Sequence, residues 1–302
     1  MKPATPLAKI CMIGLLAASL PVLAGPSEDS PTLRKIANTG LITLGHRESS
    51  IPFSYYDERQ QVIGYSHELM LKVVEGIRNE LRLSRIDIRL MPVTSANRIT
   101  LVQNGTIDIE CGSTTNNLER QKQVSFSTTI FIVGTRLLTR ANSGINDFSD
   151  LAGKNLVTTA GTTSERLIRR LNDDKSMGMN IISTKDHGEA FLNLESGRAV
   201  AFMMDDALLY GEMVKARKMS DWVVTGTPLS KEAYGCMLRK DDPGFKKVVD
   251  AALTKSMLSG EAERIYAKWF VGPIPPKGLN LNMPLSDEMK ALYKAPNDRA
   301  LD

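Results

Sequence analysis

Short apolar strands alternate with helical stretches in two successive series along this chain, and that alternation constrains its fold more than any other feature. Strands alternating with helices pack as an α/β structure. Two such series separated by long extended connectors predict two lobes with a cleft between them. In the first series, Gly40–Gly45 reads as a short buried strand. Glu68–Asn79 follows with helical spacing, placing Leu69, Val73, Val74 and Ile77 on one face. Ile86–Met91 alternates as a strand, Asn97–Gln103 reads as a helix before the turn Asn104-Gly105, and a further strand runs into Cys111. Phe131–Leu138 is the long extended connector, ending in the turn-rich Ala141-Asn142-Ser143-Gly144. The second series opens at Asn155–Thr159 and has its later strand at Ala199–Met204. The chain returns through Ala233–Leu238 to helical stretches near Phe245–Ser259 and Glu261–Phe270, then to a Pro-rich segment over 272–276.

The start of the chain has a different character. Lys2 and Lys9 precede the apolar run Ile10–Leu20, and Pro21-Val22-Leu23-Ala24 ends in a small residue. This is the layout of a secretory leader over residues 1–24, too short to span a bilayer, with cleavage expected after Ala24. Cys11 lies at the start of the apolar run, badly placed to become a lipidated terminus. The mature protein is therefore expected to be exported and soluble. Its charge is nearly balanced, with 36 Lys and Arg, once Lys2 and Lys9 leave with the leader, against 34 Asp and Glu, and evenly spread. That excludes a nucleic-acid or membrane-surface binder as an expected class. Two cysteines remain beyond the leader, Cys111 and Cys236, both in strand-like runs. In an oxidising compartment they form either a disulfide or two buried free thiols, and sequence does not give the distance that would decide. No Cys or His cluster has metal-ligand spacing, and no phosphate loop, dinucleotide fingerprint or nucleophile elbow is present, so neither metal nor cofactor is expected.

Three segments place Ser, Thr and Arg beside turns, where loops converge on ligands. Gly112-Ser113-Thr114-Thr115-Asn116-Asn117-Leu118-Glu119-Arg120 follows a strand directly. Hydroxyls and free N–H groups at a helix start suit an anionic oxygen, and Arg120 on the next turn is placed to fork a carboxylate. Gly161-Thr162-Thr163-Ser164-Glu165 lies between a strand and a helix, with Thr162 and Glu165 at capping-box spacing. Met203-Met204-Asp205-Asp206 puts acids at the end of an apolar strand, the edge of an α/β sheet where ligands bind and where a carboxylate suits an ammonium. Each segment also has a purely structural reading as a helix cap.

Taken together, this order of segments resembles the polar amino-acid binding proteins of ABC importers, bacterial solute-binding protein family 3, and most closely their glutamate/aspartate-binding members. Further matching stretches are Gly45–Ser50, Pro52–Tyr56, Gln103–Thr106, Cys111–Asn117, Lys185–Gly188, Ala199–Leu208 and Trp269–Lys277, so the resemblance spans the chain beyond the leader. It implies a two-lobed periplasmic binding protein fold of type II, the lobes joined by two hinge strands. Lobe 1 would comprise 25–137 and 238–302, and lobe 2 would comprise 138–237. Carried over by position, Arg120 would grip the ligand's α-carboxylate with Ser113, Thr115 and the Thr163 segment. Asp205, rather than its neighbour Asp206, would hold the α-ammonium. Arg47, Ser95, Arg98 and His187 would gather around the side-chain carboxylate. His46 is expected to be structural and His67 to lie on a helix surface. Arg47, Arg98 and Arg120 against Asp205 leave the cationic excess that a desolvated acidic ligand requires. The resemblance further implies a periplasmic, monomeric carrier for glutamate or aspartate that delivers to membrane permease subunits. A binding protein feeding a chemosensory receptor would have the same pocket, and an enzyme on this scaffold would need an acid or base that the binding roles do not already use.

Overall fold

A computed structural model describes Met1 and residues 30–301. The leader expected over residues 1–24 lies, Met1 apart, outside the described residues. Among the described residues no helix is long and apolar enough to cross a membrane, and no group of three or more His, Cys, Asp or Glu is placed to hold a metal ion.

Two main sheets organise the molecule. The first has five strands in the order Asp87–Pro92, Leu41–His46, Ile109–Glu110, Met237–Arg239 and Val124–Phe126. Its first three strands are parallel, and the last two join antiparallel. The second has parallel strands at Asn180–Thr184, Asn155–Thr159 and Ala201–Asp205, followed by antiparallel Phe131–Arg140, Lys231–Tyr234 and Thr115–Asn116. Trp222–Thr225 pairs with the outer half of Phe131–Arg140. Crossover helices cover the parallel strands, as parallel pairing requires. Tyr65–Glu80 buries Leu69, Met70, Val73, Val74 and Ile77, the face that its 3.6-residue spacing predicts. His67 lies on this buried side at 7% exposure, not on the helix surface.

Two extended segments of the second sheet run side by side. Phe131–Gly134 pairs antiparallel with Lys231–Tyr234, in the register Phe131↔Tyr234 to Gly134↔Lys231. Beyond this pairing the long strand continues to Arg140 against Ala201–Asp205, while the return strand ends and Met237–Arg239 enters the first sheet. An aromatic cluster fixes the inner ends of both segments. Phe131 stacks on Phe270 at 4.7 Å, Phe53 meets Phe131 edge-on at 4.9 Å and Tyr234 at 5.2 Å, and Tyr65 donates to the Ile130 carbonyl at 2.7 Å. Each such ring pair adds about 0.5–1.5 kcal/mol beyond its burial. Cys111 and Cys236 form a disulfide with Cα atoms 4.3 Å apart, at the point where the return segment passes into the first sheet.

Candidate functional site

Loops at the C-terminal ends of strands from both sheets meet beside the paired segments, and each brings a polar side chain in. Arg47 follows strand Leu41–His46, its N–H donating to Ser54 Oγ at 3.0 Å. Arg98 opens helix Arg98–Gln103 and donates through Nη1 to the Ser113 carbonyl at 3.0 Å and to Thr114 Oγ1. Asn117 caps the short helix Leu118–Gln121 by accepting from the Arg120 N–H at 2.8 Å, which fixes the origin of the Arg120 side chain. Arg120 Nη1 then donates to the Thr115 carbonyl at 2.9 Å, and Nη2 reaches the Gly161 carbonyl at 3.3 Å in a loop of the second sheet.

The second sheet supplies Thr163, His187 and Asp205. Thr162 caps helix Thr163–Asp174 by accepting from the Glu165 N–H at 3.0 Å. Glu165 reaches back to the Gly161 N–H at 2.9 Å, one residue before the N-cap, a displaced form of the expected capping box. Gly161 has φ +77° and stands where a Cβ would lie 2.7 Å from Ala96 Cα, so only glycine lets the two loops approach this closely. His187 begins helix His187–Glu195, with Nδ1 2.8 Å from Thr159 Oγ1. Asp205 ends its strand at the N-cap position of helix Asp206–Met213 yet makes no cap bond. Its Oδ1 accepts from Thr135 at 3.2 Å and Ser164 at 3.4 Å, and its Oδ2 from Tyr234. Asp206 instead accepts the Ala207 N–H at 2.7 Å, which separates the roles of the two adjacent acids.

The structure thus brings together all nine residues singled out from the sequence, and eight are buried, Thr163 being half-buried. It adds three that sequence reasoning missed. Glu232 accepts through Oε2 from Thr115 and from Thr163 at 2.7 Å, and through Oε1 from Ser230 at 3.1 Å. Glu110 accepts from Thr114 at 2.8 Å, within the electrostatic reach of Arg47 and Arg98. Tyr234 holds Asp205. Alternating strand residues gave the only signal for these three, and alternation cannot tell an inward acid from an outward one across a sheet whose partner strands are unknown. Beside Thr115, Thr163 and Glu232 opens a cavity of about 800 Å³ that Arg166, Ser230 and Ala300 also border.

The charge balance is accordingly corrected. Three buried guanidiniums face three buried carboxyls, Asp205, Glu110 and Glu232, rather than Asp205 alone. Burial and the mutual repulsion of the guanidiniums lower Arg47 to about 10 and Arg120 to about 9, so both stay cationic at neutral pH. Burial, followed by the Glu232 charge, raises Asp205 well above the ordinary carboxylate range, which favours its protonated form in the ligand-free site. Burial, reinforced by Arg47 and Arg98, holds His187 well below its ordinary value, leaving a neutral imidazole rather than a proton-dependent donor. Among the described residues, six buried polar atoms of this cluster have no hydrogen-bond partner: Arg47 Nη1, Ser95 Oγ, Arg98 Nε, Glu110 Oε1, Ser113 Oγ and His187 Nε2. Buried polar groups are normally paired, so six orphans in one cluster mark a place built for a polar ligand.

The family model for bacterial extracellular solute-binding proteins, family 3, matches residues 42–272. The chain belongs to that family. The L-glutamate/L-aspartate-binding protein of Pseudomonas aeruginosa is 65% identical to it over 285 residues, covering 94% of each chain. The glutamate/aspartate import solute-binding protein of Escherichia coli K12 is 56% identical over 301 residues, covering 100% of this chain and 99% of the relative. Among solved structures, an ancestral arginine-binding protein bound to arginine superposes with a TM-score of 0.70 at 26% identity, covering 76% of this chain and 98% of that one. The two sheets described above are the cores of the two lobes of this family's type II periplasmic-binding-protein fold.

Proposed function

We propose that this protein captures glutamate or aspartate in the cleft between its lobes and delivers it to the permease of an ABC importer. It acts as a monomeric carrier in the periplasm after loss of the leader at Ala24, with no nucleic-acid partner and no catalytic step. Lobe 1 comprises 25–137 and 238–302, and lobe 2 comprises 138–237. The observation that carries the reading is the cluster of orphaned polar atoms on Arg47, Ser95, Arg98, Ser113 and His187. An acidic amino acid brings two carboxylates and one ammonium. Arg120 holds the α-carboxylate with Ser113 and the Thr115 and Thr163 segments, Asp205 holds the ammonium, and Arg47, Ser95, Arg98 and His187 surround the distal carboxylate. His187 serves there as a neutral donor through Nε2–H, which requires Nδ1 to accept from Thr159. A neutral amino acid would leave the two buried guanidiniums of Arg47 and Arg98 with only the one neighbouring carboxyl of Glu110, and so be rejected. The glutamate/aspartate names of the relatives support the same ligand class.

Calorimetric titration of mature protein, unfolded and refolded to strip carried-over ligand, tests this directly. Glutamate and aspartate are expected to bind with a dissociation constant of about 1 μM or tighter, and glutamine at least ~100-fold more weakly. Arg98→Ala is expected to narrow the glutamate–glutamine gap, whereas Arg120→Ala abolishes binding of both. Silence toward both acids would refute the assignment.

A further inference from the structure

Glu232 lies on the return strand Lys231–Tyr234 and is 4% exposed. Its Oε2 atom is the common acceptor for one hydroxyl from each lobe, Thr115 Oγ1 of strand Thr115–Asn116 and Thr163 Oγ1 of helix Thr163–Asp174. The two hydroxyl oxygens stand 3.4 Å apart. A carboxylate is acceptor-only, and a hydroxyl carries a single proton. Both threonines therefore direct that proton at Glu232, and each is left with lone pairs alone to offer anything else in the site.

We propose that Glu232 is a positioning residue which, by taking both hydroxyl protons, makes Thr115 and Thr163 acceptors toward the ligand and so dedicates them to its α-ammonium. This rests on the acidic-amino-acid reading and revises one part of it, since neither hydroxyl then donates to the α-carboxylate. An ammonium carries three donors. Asp205, Thr115 and Thr163 supply three acceptors, and Glu232 is close enough to Asp205 for its charge to act on it, the two acids being connected through Ser230 and Thr135. Donation to the α-carboxylate falls to Arg120 and to backbone N–H groups, among them those of the first turn of Thr163–Asp174, which have no partner inside the helix. Selection for an amine is in this way set by a residue that does not touch the ligand.

The test is titration of wild type, Glu232→Gln, Thr163→Val and the double variant with glutamate and with glutarate, the diacid that lacks the amine. A glutamine amide donates to one threonine and turns that hydroxyl's proton toward the ligand. Glu232→Gln and Thr163→Val are each expected to weaken glutamate at least tenfold and to reduce the glutamate-to-glutarate affinity ratio by a similar factor. Because both act through one hydrogen bond, the double variant is expected to be no more than about twofold weaker than the poorer single variant. Thr163→Ser, which keeps the hydroxyl, is expected to restore binding. Losses that multiply in the double variant, or that are equal for glutamate and glutarate, would overturn the inference while wild-type glutamate binding stands. Wild type that binds neither acid would instead overturn the acidic-amino-acid reading and this inference with it.

Discussion

Asp205 occupies the N-cap position of helix Asp206–Met213 without capping it, and its hydrogen bonds follow from that freedom. Between Asp205 Oδ1 and Glu232 Oε1 lie two hydroxyls and three hydrogen-bonding contacts: Thr135 to Asp205 at 3.2 Å, Thr135 to Ser230 at 2.6 Å, and Ser230 to Glu232 at 3.1 Å. Burial, then Glu232, with Asp206 adding to it, raises Asp205 above the ordinary carboxylate range against the lowering effect of Tyr234, which favours its protonated form in the ligand-free protein. In the unfolded chain this Asp is ionised above about pH 4. The folded, ligand-free protein therefore binds one more proton, and its stability falls as pH rises through the window above that point. An arriving ammonium favours the ionised form and expels the proton. At about pH 5 to 7, glutamate binding is expected to release close to one proton, with affinity rising by at most about tenfold per pH unit. Calorimetry in buffers of different ionisation enthalpy reads the proton directly, and Asp205→Asn should abolish its release. Binding heats independent of buffer in the wild type would exclude this protonation state.

At the scale of elements, the strand–helix alternation and the positions of its strands were legible in the sequence because parallel strands are short, apolar and punctuated by turns. Asn155–Thr159 forms with the bounds that the sequence indicates, and the connector Phe131–Leu138 extends only two residues further. The three Ser/Thr/Arg segments were legible for the same reason, each lying directly after a strand. The return segment differed. Ala233–Leu238 reads as one strand, but the chain divides at Gly235-Cys236 into Lys231–Tyr234 in one sheet and Met237–Arg239 in the other. Changing sheets is a tertiary event that leaves no mark on a continuous apolar run, and Glu232 escaped notice with it. The disulfide sits at that division and closes a separation of 125 residues in the chain. A loop of this length confers a large entropic constraint on the unfolded state. Cys111→Ala with Cys236→Ala is expected to lower unfolding stability by about 2–5 kcal/mol in urea titration. Glutamate affinity should change by less than about threefold, because neither cysteine is among the residues assigned to the ligand.

At the scale of the whole molecule, affinity is the product of what the ligand touches and how readily the lobes come together. On the proposed lobe division two contacts cross between the lobes, one at the margin of the site cavity and one at a hairpin. Glu119 pairs with Arg166 at 3.0 Å, both side chains being about half exposed or more. Lys277, at the tip of the hairpin joining Pro273–Ile274 to Leu279–Asn280, donates to the carbonyls of Lys215 at 2.7 Å and Ala216 at 3.0 Å. Those carbonyls follow the end of helix Asp206–Met213, where a cation is favoured. Neither contact is made by a residue assigned to the ligand, so each is expected to act mainly on the closing equilibrium and to scale every affinity by a similar factor. An exposed ion pair contributes about 0–1 kcal/mol and is screened by salt, so Arg166→Ala should weaken glutamate by less than about fivefold and by less still at high ionic strength. Hydrogen bonds from the ammonium to two carbonyls are less easily screened. Lys277→Met is expected to weaken glutamate, aspartate and glutamine together by about two- to tenfold. The glutamate-to-glutamine ratio, measured by the same titrations, should remain within about twofold of wild type. A changed ratio would mean that the hairpin shapes the pocket itself, and that selectivity in this molecule depends on residues beyond the arginine cluster.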